Sequence, residues 1–291
     1  MATPTLLDRE EHVEQAYFFR MLRERLAANL AAQDILGRLS EEILSTTRLP
    51  YAVQFLAAEL RHSGLLSSGF ALLPHYFTPF QTFVVSRTEE EGLRFSTETA
   101  LAVLERESLY RAGQPTPAGL FVFQFEVLCR NRLGYDQGLA SMAGDPFYDE
   151  GWREFIDLVR RQAGTIDFSD LIYLRSESYV LNQRRKDPGY VPSLAPLFGE
   201  KEGKIARASI GRDPLFLFAA LQRQLGYPEV PRPRPPDDLG AQLDGLKSKL
   251  QQLGQRLLLL ESEVRGKLDL TLFGKPDLLQ DMDSKRLAAE E

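Results

Sequence analysis

Cysteine is almost missing from this chain. Cys129 is the only one in 291 residues, so neither an intrachain disulfide framework nor a cysteine metal cluster can be built. Histidine is scarce as well: His12, His62 and His75 are the whole supply, which narrows metal chemistry further. Positive charge is in deficit, with 35 Lys and Arg against 41 Asp and Glu, a net of -6. A general nucleic-acid binder neutralises phosphates with a basic surface, so nucleic acid is not the expected partner. No apolar run reaches the length needed to span a bilayer. The opening Met1-Ala2-Thr3-Pro4 turns acidic rather than basic-then-apolar, so no secretory leader is expected and the expected address is cytoplasmic.

What the chain does hold is an ordinary soluble composition, 43% apolar and 26% charged. Its length suffices for one large domain or two smaller ones. The most regular pattern lies near the end. Leucines fall at Leu239, Leu243, Leu246, Leu250, Leu253, Leu257 and Leu260, followed by Val264, with steps alternating between four and three. Such alternation is the a/d seam of a coiled coil, which needs a helical neighbour to keep it dry. Gly240, Gly245 and Gly254 weaken the helix. The seam does not by itself choose among a second copy, a helix of the same chain and a foreign helix.

Pro228, Pro231, Pro233, Pro235 and Pro236 precede the seam and favour a stiff, extended spacer. With Arg232 and Arg234 interleaved, the same run resembles a ligand for a polyproline-recognition domain. The expected organisation is a helical body over 1–227, a proline joint over 228–236, a coiled-coil helix over 237–266 and a docking segment or tail over 267–291.

The body reads as mainly α, with minor β possible. Asp8 and Glu11 have capping-box spacing, with Leu7 as staple, ahead of an apolar stripe through Phe18, Phe19, Leu22, Leu26 and Leu30. Gly37 reads as a bend and Ser40 as a restart. Pro50 suits the first turn of a helix carrying Val53, Leu56 and Leu60. Ser63 to Gly69 reads as a loop without the lysine or spacing of a phosphate cradle. Between Phe70 and Val85 the chain becomes aromatic and β-branched around Pro79, so a short strand or hairpin over Thr82 to Ser86, or an extended segment covering the helical core, is expected. Helices are expected from Thr97, Pro117, Asp145-Pro146, Asp167 and Asp213-Pro214, with a central strand over Leu120 to Leu128 and a short strand around Leu171 to Leu174 as the alternatives to the second and fourth, and with Gly134, Gly138 and Gly144 marking a looser connection.

Candidate chemistry is thin. Glu59 and His62 have the Glu-x-x-His spacing of carboxylate-bridged metal bundles, but that chemistry uses the pair twice and this chain supplies it once. A surface pair at a helix end is the simpler reading. Glu126 sits inside the apolar stretch Leu120 to Leu128, where a carboxylate must be paired or protonated; Arg130, one turn on, is its expected partner, and a catalytic acid is the alternative. Cys129 has no histidine beside it and reads as core. Arg184, Arg185 and Lys186 form a local basic run that could meet an anion or nucleic acid, or simply face water. No cofactor is implied. The expected function is a non-catalytic scaffold or assembly subunit acting through self-association or another protein's helix. An enzyme centred on Glu59, His62 or Glu126 is the competing class, and an anion-binding module the third.

Overall fold

The computed structural model describes residues 6–90, 92, 95–232 and 250. By internal contacts the chain divides into two units, Met1–Pro233 and Arg234–Glu291. The described part of the first is a compact bundle of thirteen helices, and no strand occurs among the described residues. Nor is any helix there long and apolar enough to cross a membrane.

The first six helices form one neighbourhood. Helices α1 (Arg9–Ala27) and α6 (Thr97–Ala112) lie along each other, while α2 (Ala32–Glu42), α3 (Leu49–Ser63), α4 (Leu66–Ala71) and α5 (Pro79–Glu89) pack in succession. Helix α7 (Pro117–Asn131) runs through the body and is buried on every side from Gly119 to Leu128. This matches its sequence, which has no polar face except Gln124 and Glu126. Beyond it come α8 (Tyr135–Ala143), α9 (Glu150–Gln162), α10 (Phe168–Leu174), α11 (Glu177–Lys186), α12 (Glu200–Ser209) and α13 (Pro214–Leu225). Phe121 of α7 meets Trp152, Phe155 and Phe198 with ring centroids 5.6, 5.3 and 6.3 Å away. Phe125 stacks on Phe168 at 4.0 Å. Large rings at these spacings supply both buried area and favourable quadrupole geometry.

Several helix starts follow the expected chemistry. Ser96 caps α6, Thr116 caps α7 ahead of Pro117, and Asp167 and Asp213 cap α10 and α13. Gly226 ends α13 with φ +67°, the left-handed geometry glycine adopts without cost.

Other expectations are corrected. The strand or hairpin over Thr82 to Ser86 is instead the middle of α5. Thr78 accepts from Gln81 N while the Gln81 side chain accepts from Thr78 N, and Pro79 fills the first helical position. That reciprocal cap fixes the start, and Phe80, Phe83 and Val84 then share a buried face at helical spacing. Burial outweighs the strand propensity of Val84 and Val85. Gly37 and Ser40 lie within one continuous α2, and Leu66 to Ala71, expected as a loop in part, form α4. Asp8 does precede α1 but makes no side-chain cap; Glu11 is drawn into a tertiary contact instead. Helix α9 starts at Glu150 behind Asp149, not at Asp145. The connection through Gly134, Gly138 and Gly144 contains α8. A Cβ on Gly138 would stand 2.5 Å from Leu128 Cδ2 and 2.6 Å from Cδ1, so the glycine is what lets α8 close on α7.

The opening residues of the proline joint are held by the body. Tyr227 and Val230 are buried, Arg106 donates to Glu229 O, and Asn131 Nδ2 donates to Pro231 O at 3.3 Å. The remaining joint and the leucine seam lie outside the described residues, apart from Leu250, which is helical.

Candidate functional site

The close packing of α1 on α6 brings two helices' polar residues under one apolar cover. Along α6, Leu104, Glu107, Ser108 and Arg111 occupy a single buried stripe. Arg111 Nη2 donates to Glu107 Oε1 at 2.9 Å and also to Asp145. Gln124 of α7 donates to the same Glu107 oxygen at 2.8 Å, and Tyr148 OH donates to Gln124 Oε1 at 2.8 Å. Asp145 keeps its other oxygen on Phe147 N at 3.0 Å, a turn that replaces the helix start expected there. All five side chains are buried.

Electrostatics explain why these groups stay together. Burial alone would lower the Arg111 pKa, but the Asp145 and Glu107 carboxylates outweigh it and raise it, so the guanidinium keeps its charge. Burial raises Glu107, with Arg111 pulling the other way. One cation between two carboxylates favours a Glu107 that holds its proton to higher pH than glutamate in water. His12 of α1 borders the cluster. Burial and, second, the nearby Arg111 charge lower its pKa to about 4, so it is neutral at pH 7. Among the described residues His12 Nδ1, Glu107 Oε2 and Ser108 Oγ find no hydrogen-bond partner.

A cavity of about 30 Å3 opens beside His12, Tyr76, Arg111 and Asp145. That volume suits about one water, since each molecule takes roughly 30 Å3 of the liquid. It cannot admit an organic substrate, which needs roughly ten times more. Chemically the cluster is a lock between α6, α7 and the turn from Asp145 to Tyr148.

Two further buried carboxylates act alike. Glu11 accepts from Arg48 N at 2.8 Å and from Tyr76 OH at 2.6 Å. Glu126 accepts from Arg130, the expected partner one turn on, and from Tyr227 OH at 2.7 Å. Burial and then the Glu126 charge raise the Tyr227 pKa, so the phenol stays a donor.

The remaining sequence candidates are dispersed. Glu59 accepts from Ser68 Oγ at 2.7 Å, while His62 is exposed on the last turn of α3. Among the described residues no group of three or more His, Cys, Asp or Glu is placed to hold a metal. Burial pushes the Cys129 thiol up to about 11, and a thiol so raised is a poor nucleophile at neutral pH. Arg184, Arg185 and Lys186 end α11 in solvent, and Arg184 Nε donates to Tyr190 O at 3.3 Å. Arg185 also borders a groove of about 450 Å3 between α11 and α12, with Asn182, Lys204 and Arg207. Of the leucine seam, Leu250 alone is described, and it is 66% exposed.

A larger hollow lies elsewhere, lined by α1 to α6 and open to water, with a volume of about 370 Å3. Its floor is apolar, and Thr88, Glu89 and Thr97 stand at its edge. The sequence gives little warning of it: its leucines and alanines look like any other core positions.

No family model, no curated protein and no solved structure matches the chain.

Proposed function

We propose that the protein is a non-catalytic assembly subunit in which the leucine ridge from Leu239 to Val264 takes a second copy of the chain as its helical partner. The observation that carries this reading is the unbroken four-then-three leucine spacing directly after the proline joint. Leu250 supports it: a seam leucine in helical conformation and 66% exposed leaves apolar surface for a partner. The body fits a supporting role, because its buried carboxylates are spent on internal locks. Glu126 is closed off by Arg130 and Tyr227, and Glu59 is engaged by Ser68, so neither candidate acid is free for chemistry in this arrangement.

The full chain is expected to run as a dimer or larger species by light scattering at micromolar concentration. Replacing Leu250 and Leu253 together with glutamate places charges in the middle of the seam and should reduce the mass to that of a monomer. The thermal unfolding of the body should stay in place. A monomeric parent chain, or an unchanged mass after the double substitution, defeats the proposal.

The groove between α11 and α12 favours a second reading, capture of a phosphate-bearing anion by Arg185, Lys204 and Arg207. Glu200 competes there, 2.6 Å from Lys204 Nζ. Inorganic pyrophosphate should bind with an affinity that falls as salt rises and is lost in Arg207→Glu. Salt-independent binding, or none, ends this reading.

A further inference from the structure

Native interiors contain few voids larger than a water molecule. The 30 Å3 space beside His12 is of that size, whereas the hollow among α1 to α6 offers about 370 Å3 and opens to water at its rim. An engineered apolar cavity of about 150 Å3 is already enough to stay dry and bind benzene. The hollow offers more than twice that volume against a leucine-lined floor. Its volume falls at the lower end of small-molecule sites, roughly 300–1,000 Å3.

The lining is graded. Leu22, Leu36, Ala100 and Leu101 form a buried floor. Leu26, Leu60 and Leu66 are half-buried walls. Thr88 and Glu89 are half-buried and Thr97 is exposed, so the polar groups gather where the hollow meets water. An elongated apolar body with a single polar end matches that gradient.

The rim also chooses the polar end. Among the described residues that line the hollow Glu89 alone is charged, and it is an acid. Its position is fixed, because Oε1 accepts from Leu66 N at 2.5 Å and Oε2 from Ser67 N at 3.1 Å, at the start of α4. Among the described residues no lysine or arginine lines the space to receive a carboxylate or phosphate. A carboxylate head would meet Glu89 as a like charge, while a hydroxyl could donate to it or to Thr88 Oγ1. We propose that this hollow is a binding site for an uncharged aliphatic molecule carrying a hydroxyl head, and that it rejects fatty acids of the same length. The site is independent of the leucine ridge.

The test uses the full chain with the neutral dye N-phenyl-1-naphthylamine, whose fluorescence rises in apolar surroundings. Dye is expected to bind with one site per chain. 1-Dodecanol should displace it, and dodecanoate should need at least a tenfold higher concentration. Ala100→Leu fills the floor and should weaken dye binding at least tenfold while leaving the melting temperature equal or higher. Should Ala100→Leu fail to fold, Ala32→Leu narrows the half-buried wall and should weaken binding in the same direction. Absence of dye binding, dodecanoate as effective as dodecanol, or unchanged binding in a folded filling variant each overturns the proposal.

Discussion

Arg111→Met is expected to destabilise the body by about 3–5 kcal/mol, a large share of a typical domain's roughly 5–15 kcal/mol. Methionine restores most of the length and apolar contact of the arginine stem, so packing loss is small. The cost comes from what remains. Asp145 and Glu107 would stay buried, with Asp145 stripped of its one cationic partner. Urea unfolding followed by circular dichroism at pH 7 measures the loss directly. Glu107→Gln is the instructive contrast. Glutamine keeps an acceptor for Arg111 and Gln124 and adds a donor where Glu107 Oε2 now lacks a partner. Because burial already favours the protonated acid, this substitution should cost only about 1 kcal/mol. Equal losses for the two variants would mean that Glu107, too, is needed as an anion, and the charge assignment of the cluster would fail. A small loss for Arg111→Met would remove the cluster as a lock. Asp145→Asn added to Arg111→Met should recover part of the loss, since the two side chains share one contact and cannot act independently.

How legible the fold was depends on where its information lies. Helices α6, α7 and α13 announce themselves through local chemistry, a capping side chain followed by proline or an apolar stripe. Helix α5 hides because Phe83, Val84 and Val85 are residues a strand would use equally well, and only the Thr78–Gln81 reciprocity sets them apart. Asp8 and Glu11 carry the same capping spacing and do not use it, because Glu11 gains more from Arg48 N and Tyr76 OH. The Glu126–Arg130 pair was readable from one helical turn; Tyr227, 101 residues further on, was not. The Arg111 cluster stood between these cases. Placing Glu107 and Arg111 on the stripe of Leu104 and Ser108 marks both as buried, and their i, i+4 spacing marks them as a pair. Nothing local says that Asp145 joins them, because its partner is chosen by how α1, α6 and α7 meet.

The same burial makes the body sensitive to acid through His12. Burial and the nearby Arg111 charge oppose a positive imidazole, while Gln15, Asp145 and Glu11 favour it; the first two prevail and leave the pKa at about 4 against 6.5 in an unfolded chain. A base lowered on folding takes up its proton in the unfolded state first. Stability therefore falls as pH drops from about 6.5 towards 4 and has lost its full contribution below that, about 3 kcal/mol in all. Between pH 7 and pH 5 the expected loss is about 2 kcal/mol. Glu107, raised on folding, pushes the other way, since its folded form holds a proton that the unfolded form has released. Comparing the parent with His12→Asn removes that contribution, because both chains carry Glu107. Asparagine does not titrate, so the variant should lose about 2 kcal/mol less than the parent between pH 7 and pH 5, whatever its starting stability. Parallel pH profiles for the two chains would show that His12 is protonated without cost inside the fold. The imidazole would then have found a partner for Nδ1, and the small cavity beside it, bordered by Asp145, is where a water could supply one.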